Sequence, residues 1–272
     1  MVIGSATPAI DPTRLRRKNM IHAITREVSP AIGQCELTCL ERSAIDVELA
    51  RAQHAEYRQL LAEFGCTVIH LPAEPTLPDS VFVEDGAVVL NELAVLTRPG
   101  AESRRGETAS LGEALAAYRP LAELKPPAIL DGGDVLCLDH EIWIGLSTRT
   151  NRAGVEQFQQ LVKPHDYEVK TVEVRGALHL KSAITVVAEN TVLLNPEWID
   201  PAFDGYRTIA VDPSEPSAAN VLRVGQTTVV SSSYPRTAAQ LDARGIQCRS
   251  VASTELAKAE GALTCCSLLF DV

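Results

Sequence analysis

The sequence predicts an α/β fold in which five strand-strand-helix-strand units close into a ring. This arrangement of two short apolar strands, a helix and a third strand recurs with a period of roughly 40 to 50 residues, a length typical of repeated architectures. The final apolar segment lacks a unit of its own and needs the first strand of the chain to complete the fifth unit. Closure of the ring leaves no exposed sheet edge, so a ring is favoured over an open doubly wound sheet.

The unit that closes the ring supplies the first predicted elements. Residues 20–25 form a strand, and a helix over residues 43–64 begins with Ser43 as its N-cap and stops at Gly65. Residues 66–71 then form a buried strand.

The other four units follow along the chain in the same order of elements. Pro235 favours the first turn of a helix in the last of them, because its missing N–H costs nothing there. The predicted hairpins span residues 81–90 with 94–97, 135–138 with 141–145, 182–187 with 191–194, and 219–224 with 227–231. The predicted helices span residues 106–118 and 151–162, and one follows Pro235. The predicted third strands span residues 128–130, 168–172, 208–211 and 246–249, and the last strand spans 263–270.

Composition and charge limit the function classes. The chain has 272 residues, of which 46% are apolar and 22% charged, and no apolar run has the length of a membrane span. The formal charge of −10 argues against nucleic acid and anionic membranes as partners, and it suits a cationic small molecule. Seven cysteines, an odd number in a chain with ample core, indicate reduced thiols and a cytoplasmic protein.

The chain is expected to form one catalytic domain over residues 19–272, because no linker rich in Gly, Ser or Pro divides it. Residues 1–18 are expected to be an N-terminal leader, partly flexible. Their basic residues are not followed by an apolar segment of signal-peptide length.

Three carboxylates, Asp79, Glu84 and Asp85, lie at the start of an apolar segment. In a strand, Glu84 and Asp85 would face opposite sides, so all three could line one pocket only if the strand ended or bulged near Glu84. A solvated strand end is the alternative interpretation.

The segment from Asp131 to Asp134 has two central glycines, which either bring the backbone close to another group or form a plain hairpin turn. His179 lies between two leucines before an apolar strand. It is either a buried, hydrogen-bonded histidine or a general acid/base whose pKa is set by a carboxylate.

Cys265 and Cys266 are adjacent in the last predicted strand, so at most one of them can face a central cavity. Their ordinary role would be that of small hydrophobic residues. A zinc site is a weaker hypothesis, because Cys35 and Cys39 have no matching second pair.

These four stretches occupy equivalent places, near the first strand of successive units, and a ring would bring them together on its axis. Arg98 and Arg149 would join them there. The combination suits nucleophilic attack on a cationic, planar carbon: carboxylates hold a guanidinium, a thiolate attacks it and a histidine transfers protons.

From about Met20 to the C-terminus, the order and spacing of several motifs resemble the dimethylarginine dimethylaminohydrolases. The resemblance implies the guanidine-modifying superfamily and its pentein fold, a five-bladed pseudo-symmetric α/β propeller of ββαβ units. The motifs are Pro78-Asp-Ser-Val-Phe-Val-Glu-Asp85, Thr97-Arg-Pro-Gly100, Asp131-Gly-Gly-Asp134, Gly145-Leu-Ser-Thr-Arg-Thr-Asn151, His179-Leu-Lys-Ser182 and Leu263-Thr-Cys-Cys-Ser267.

The resemblance also implies roles for individual residues. Cys265 is similar to the family's nucleophile, with Cys266 structural, His179 as general acid/base and Asp131 orienting it. The implied substrate contacts are Asp79 and Asp85 on the guanidinium with Glu84 nearby, Phe82 as a pocket wall, Arg98 and Arg149 on the α-carboxylate, and Glu260 on the α-amino group, where the family often has Asp. Residues 27–35 match the position of the family's mobile lid.

The expected activity is hydrolysis of Nω-methylated arginine to citrulline and a methylated amine through a covalent thiouronium, without a metal or organic cofactor. The expected partner is a small guanidino amino acid, and the sequence leaves a homodimer open. The alternatives are an arginine deiminase-like hydrolase of unmethylated arginine or another guanidino compound, a non-enzymatic binding protein on the same fold, and a zinc-storing thiol protein. The lack of a long helical insertion and the presence of Arg98 and Arg149 favour the methylarginine hypothesis.

Overall fold

The computed structural model of the protein describes residues 20–200, 203 and 205–272. The predicted leader, residues 1–18, lies outside the described residues. Within them the chain forms five three-stranded sheets. In every sheet the middle strand pairs antiparallel with one neighbour and parallel with the other.

The secondary structure follows the predicted order of elements. The described helices are α1 (Val47–Glu63), α2 (Thr108–Leu115), α3 (Arg152–Val162), α4 (Leu180–Ala183), α5 (Pro235–Asp242) and α6 (Thr254–Ala257). The described strands are β1 (Ile21–Arg26), β2 (Thr67–Leu71), β3 (Ala87–Val89), β4 (Ala94–Leu96), β5 (Leu121–Glu123), β6 (Val135–Leu138), β7 (Glu141–Leu146), β8 (Glu168–Glu173), β9 (Ile184–Ala188), β10 (Thr191–Leu194), β11 (Arg207–Ala210), β12 (Leu222–Val224), β13 (Thr227–Ser231), β14 (Gln247–Val251) and β15 (Leu268–Asp271).

The two ends of the described chain share one sheet, as the ring closure predicted. Strand β15 pairs antiparallel with β1, with Ile24 opposite Leu268. On its other side β1 pairs parallel with β2, which follows α1. The fifth unit is therefore completed by the first strand, and the α/β propeller of five units is confirmed.

Helices pack on the sheets through their apolar faces. On α3, Val155, Phe158 and Val162 repeat at helical spacing and are buried in one cluster with β6 and β7. The third unit departs from the predicted pattern, because the described residues between β10 and β11 form turns and no helix. None of the helices in the described part of the chain is long and apolar enough to cross a membrane.

The first long helix starts later than predicted. Asp46, and not Ser43, is its N-cap: its carboxylate accepts a hydrogen bond from the Leu49 N–H at 3.0 Å. The Asp46 N–H itself donates to Glu255 Oε2 at 2.8 Å. This contact with a distant part of the chain fixes where α1 begins, and no local pattern in the sequence reports it.

The prediction of a strand at residues 128–130 is wrong. The third strand of that sheet is β5, with Leu121 opposite Ala94, and Leu130 forms only an isolated bridge with Arg98. Ala128 and Leu130 are fully buried in the adjoining core, so their apolar character reflects packing and not strand pairing.

Four of the five inner strands are shorter than predicted, because the chain turns before each of them, whereas β6 has the predicted bounds. Residues 81–86, 182–183, 219–221 and 263–267 were expected to be extended, yet all precede the strands β3, β9, β12 and β15. Two of these segments contain the 3₁₀ turns Val83–Gly86 and Thr264–Cys266. The turns meet at the axis of the ring and carry the candidate catalytic residues.

Candidate active site

A small cavity on the ring axis collects most of the predicted site residues. It has a volume of about 10 Å³, room for about one water molecule. Its walls include Asp79, Phe82, Asp85, Arg149, His179, Glu260 and Cys265. The turns that precede β3, β9 and β15 therefore converge on this cavity. The equivalent places that the site residues occupy in successive units predicted this convergence.

His179 and Asp131 form a buried pair. His179 Nε2 lies 3.0 Å from Asp131 Oδ2, and the other carboxylate oxygen of Asp131 accepts the Gly100 N–H at 2.8 Å. Burial by itself would lower the pKa of His179, but Asp85, Asp131 and Asp134 outweigh it and raise the pKa to about 9. The imidazole is therefore a cation at neutral pH.

Asp134 supports His179 from behind. Its carboxylate accepts the Leu180 N–H at 2.9 Å, and this is the first residue of the short helix α4 that follows His179. Hydroxyls of Ser147 and Thr150 also donate to it, at 2.5 and 2.7 Å. Burial raises the pKa of Asp134 to about 6. The sequence stretch contained Asp134, but no role had been predicted for it.

Asp85 lies between two cations. Its Oδ1 is 3.7 Å from His179 Nδ1 and accepts the Gly133 N–H at 3.1 Å, while Oδ2 accepts a hydrogen bond from Arg104 Nη1 at 2.7 Å. Burial alone would raise the pKa of Asp85, but His179 and Arg104 hold it below its usual value. A Cβ at Gly133 would lie 2.7 Å from His179 Nδ1, so the close approach of these groups requires glycine.

Arg104 is a site residue that the sequence analysis missed. It is buried, binds Asp85 and Glu107, and donates to the carbonyl oxygens of Asp79 and Phe82 at 3.4 and 3.3 Å. Burial raises the pKa of Glu107 to about 7 despite the neighbouring guanidinium of Arg104. A charged pair before a helix resembles a solvated surface, so no sequence signal distinguished Arg104.

Asp79 and Phe82 form one wall of the cavity. Asp79 Oδ2 accepts the Glu36 N–H at 3.1 Å, and burial raises the pKa of Asp79. The Phe82 ring fits only because residue 261 is glycine: a Cβ there would lie 2.1 Å from the ring carbon Cε1.

Cys265 lines the cavity, while Cys266 lies outside it and packs in the core around α1. Both cysteines lie within a 3₁₀ turn and not in a strand, which corrects the predicted local structure. The turn, and not strand alternation, directs their side chains to different places. Burial, followed by the charges of Glu84 and Asp85, raises the pKa of the Cys265 thiol well above its usual value. The thiol is therefore protonated when no cation lies beside it.

Glu84 does not join the other two acids. Its oxygens bind Lys181 Nζ at 2.7 Å and the Thr264 hydroxyl at 2.6 Å, and it lines a separate cavity of about 270 Å³. The reason is the 3₁₀ turn: with about three residues per turn, neighbouring side chains diverge by about 120°. Asp85 consequently faces the catalytic cavity, and Glu84 faces the region behind it.

Only one of the two predicted arginines reaches the cavity. Arg149 is buried there, donates to the Thr38 hydroxyl at 2.9 Å, and has Nη1 3.9 Å from Asp131 Oδ2. That Nη1 has no hydrogen-bond partner among the described residues. Arg98 instead donates to the Ala128 carbonyl oxygen at 3.2 Å and does not line the cavity. It is diverted by the bridge that its own backbone forms with Leu130.

Residues 36–40, which we call the lid segment, contact the cavity-lining residues Asp79, Arg149 and Glu260. Glu260 holds it: the carboxylate accepts the backbone N–H groups of Thr38, Cys39 and Leu40 at 2.9, 2.5 and 2.6 Å. Glu260 has a left-handed backbone with φ of 59°. In the stretch that the resemblance matched to the family's lid, residues 27–35, the side chains of Val28, Ile32 and Cys35 are buried in the core.

Comparison with known proteins places this site in a family. A model of the N,N dimethylarginine dimethylhydrolase family (eukaryotic) matches residues 36–228. The chain is 38% identical over 247 residues to the N(G),N(G)-dimethylarginine dimethylaminohydrolase of Streptomyces coelicolor, covering 90% of this chain and 95% of that relative. The chain belongs to the dimethylarginine dimethylaminohydrolase family.

Solved structures agree with this family membership. A mutant of the Pseudomonas aeruginosa dimethylarginine dimethylaminohydrolase in complex with citrulline superposes with a TM-score of 0.88 at 30% identity, covering 92% of this chain and all 100% of that one. The N-terminal domain of the cyanobacterial arginine dihydrolase ArgZ shares the fold, with a TM-score of 0.80 at 20% identity over 92% of this chain and 97% of that domain.

Proposed function

We propose that this chain hydrolyses Nω-methylated arginine to citrulline and methylamine or dimethylamine. The observation that carries the proposal is the meeting, in one cavity, of a buried cysteine, a histidine paired with Asp131 at 3.0 Å, and the carboxylates of Asp79 and Asp85. This set supplies a nucleophile, an acid and charges that hold a guanidinium. The family relatives named for this reaction, and the bound citrulline in one of their structures, support it.

Substrate recognition uses charges at both ends of the molecule. The carboxylates of Asp79 and Asp85 receive the guanidinium, and Phe82 bounds the space beside it. Arg149 binds the α-carboxylate, since its buried Nη1 has no hydrogen-bond partner among the described side chains and backbone groups. Glu260 lies at the same end and binds the α-ammonium when the lid segment has released it.

The bound cation prepares Cys265 for attack. The thiol is protonated without substrate because burial and the nearby carboxylates raise its pKa. A guanidinium within a few ångström reverses that electrostatic balance and favours the thiolate. The proton leaves to solvent as the substrate binds, so nucleophile activation depends on the charge of the substrate itself.

His179 then acts first as acid and later as base. The thiolate sulfur bonds to the guanidinium carbon, and the imidazolium protonates the departing amine as the C–N bond breaks. A thiouronium and a neutral imidazole remain. His179 next removes a proton from water, whose oxygen bonds to the same carbon, and breakage of the C–S bond returns the thiolate and leaves citrulline protonated on its ureido group. That second water proton passes to solvent, and neutral citrulline departs.

Asp131 orients the imidazole through its hydrogen bond and stabilises the imidazolium. Every bond and proton in this scheme is assigned to Cys265, His179, substrate or water, so the scheme has no step that calls for a metal or an organic cofactor.

We further propose that the protein works in the cytoplasm as one catalytic domain over residues 19–272. All seven cysteines are unpaired, which suits a reducing compartment.

Release of the ureido product, which is citrulline from the three arginines and a carbamoylated diamine from agmatine, tests the function on four substrates. Purified protein is assayed with asymmetric dimethylarginine, monomethylarginine, arginine and agmatine, and we expect the highest kcat/KM for a methylated arginine. Cys265→Ala should reduce citrulline formation by at least about 10⁴-fold, whereas the matched variant Cys266→Ala should retain most of the activity. Full activity in Cys265→Ala, or a preference for agmatine, would contradict the proposal.

A further inference from the structure

Behind the catalytic cavity, hydrogen bonds join the turns that precede the inner strands of the ring. Lys181, just before β9, donates from Nζ to Glu84 Oε1 at 2.7 Å and to the Gly132 carbonyl oxygen at 3.4 Å. Thr264, before β15, donates its hydroxyl to Glu84 Oε2 at 2.6 Å. These contacts link the turns before β3, β6, β9 and β15, leaving only the unit of β12 to be connected.

Asn220, two residues before β12, completes the circle. Its Nδ2 donates to the Lys181 carbonyl oxygen at 3.0 Å and to the Thr264 hydroxyl oxygen at 3.0 Å. Its Oδ1 accepts the Thr264 N–H at 3.1 Å. The side chain is buried, with an exposed fraction of 4%, so none of these groups can turn to water instead.

The positions of these partners in the chain relate Asn220 to the chemistry. Lys181 follows His179 by two residues, and Thr264 directly precedes Cys265. One planar amide therefore spans the two turns that carry the acid and the nucleophile. We propose that Asn220 is a positioning residue, which holds the Cys265 turn against the His179 turn. The proposal rests on the proposed function of the site.

The amide is suited to this place because it offers donors and an acceptor in one plane. Nδ2 faces two oxygen atoms and Oδ1 faces an N–H, so an aspartate would oppose a carbonyl oxygen with its own oxygen. An alanine would remove the Asn220 partner of the Lys181 carbonyl oxygen and of the Thr264 N–H, and would leave the Thr264 hydroxyl bonded to Glu84 alone. A displacement of about 1 Å in a reacting group can cost about 10²-fold in rate, so loosening this contact should act on the chemical step.

The test compares Asn220→Ala with Asn195→Ala. Asn195 is also buried, at 3% exposure, and uses its amide to bind the Pro216 carbonyl oxygen at 2.9 Å and the Glu197 N–H at 2.9 Å. Those partners do not belong to the turns that carry His179 and Cys265. Comparison of the two variants therefore separates the effect of losing any buried amide from the effect of displacing the catalytic turns. Both variants should lower the thermal midpoint of unfolding to a similar extent.

For Asn220→Ala we expect kcat to fall by roughly 10- to 100-fold while KM changes by less than about threefold. Alkylation of Cys265 by 2-chloroacetamidine, followed at the Cys265 peptide by mass spectrometry, should slow by about 10-fold or more, because this cationic reagent depends on the same alignment. Asn195→Ala should match the wild type in all three measurements.

Equal kcat and equal alkylation rate in Asn220→Ala and Asn195→Ala would overturn the inference. If Asn220→Ala does not fold, Thr264→Val is tested instead, because it removes one hydroxyl of the same network. It should slow the alkylation of Cys265 in the same way, and an unchanged alkylation rate would likewise overturn the inference. The alkylation needs no substrate: if the wild type released no citrulline but the variant still slowed the labelling, the proposed function would fail and the role of Asn220 would stand.

Discussion

His179 Nε2 and Asp131 Oδ2 lie 3.0 Å apart, and both side chains are almost completely buried. A second acid, Asp85, lies 3.7 Å from the other ring nitrogen. The imidazole is therefore surrounded by negative charge in a place without solvent, which explains why its pKa rises to about 9 although burial acts in the opposite direction. The site holds a proton ready for a departing amine at neutral pH.

The first prediction concerns pH. Because the folded-state pKa of His179, about 9, lies above its ordinary value of 6.5, the imidazolium stabilises the fold fully below about pH 6.5 and loses that effect as the pH rises through about 9. The kcat/KM for a methylated arginine should fall over the same alkaline range, because the acid is then deprotonated.

Asp131→Asn should move that alkaline limb to lower pH and reduce kcat by roughly 10²- to 10⁴-fold, since the imidazolium loses its charged partner. A pH–rate profile from pH 6 to 10 measures both effects. Asp166→Asn is the control: Asp166 is exposed, with φ of 61°, a backbone that asparagine also tolerates. An alkaline limb in the same position for Asp131→Asn and the wild type would refute the assignment.

The second prediction separates the two arginines. Arg149 lines the cavity, and its Nη1 has no hydrogen-bond partner in the part of the chain that the structure describes, whereas Arg98 donates to the Ala128 carbonyl oxygen. Arg149→Ala should raise KM for methylated arginine by about 10- to 100-fold, the range of a lost charge-assisted hydrogen bond, and more than Arg98→Ala does. Agmatine lacks the α-carboxylate, so its KM should be insensitive to Arg149→Ala. A larger effect at Arg98 would place the carboxylate elsewhere.

The third prediction concerns the buried cation. Arg104→Met leaves Glu107 without its buried counter-charge and removes one of the two cations beside Asp85, and it should lower the free energy of unfolding by about 3–5 kcal/mol. The neighbouring variant Arg105→Met should cost no more than about 1 kcal/mol, because Arg105 is partly exposed and its ion-pair partner Glu102 is 83% exposed to water. Urea titrations of the two variants measure the difference, and equal midpoints would show that the buried ion pairs contribute nothing.

The fourth prediction concerns the lid segment. Glu260→Gln replaces a carboxylate that accepts three consecutive N–H groups by an amide with one oxygen, so amide hydrogen exchange at Thr38, Cys39 and Leu40 should accelerate by about 10-fold. Glu41→Gln, an exposed change beside the same segment, is the control and should exchange like the wild type. Exchange rates that are the same in both variants would show that the carboxylate does not hold the lid segment closed.

Much of the architecture could be predicted because it repeats. The strands Thr191–Leu194 and Thr227–Ser231 match the predicted bounds, and Asn151 caps a helix that ends at Val162 as expected. Apolar alternation, helical spacing and turn residues are local signals, so they report elements of this length well. The pairing of β1 with β15 could be predicted because an open ring would have exposed an unpaired sheet edge.

The local conformation at the axis could not be predicted in the same way. The apolar stretches around Asp85 and Cys265 were predicted to be strands, yet both form turns. The inner ends of five sheets lie close together at the axis, so the chain leaves the extended conformation there. Glu84, which the family resemblance placed near the guanidinium, lies behind the catalytic cavity with Lys181 and Thr264.

The sequence by itself determined the repeat, the ring and the residue types on its axis: a cysteine, a histidine, acids and arginines at equivalent places. Only the tertiary structure decided which of them meet. Arg104 and Asn220 contact residues from 19 to 44 positions away, and Glu260 binds a segment about 220 residues earlier. Such contacts arise from the packing of distant turns around one axis, and no local pattern in the chain encodes the direction in which each side chain points.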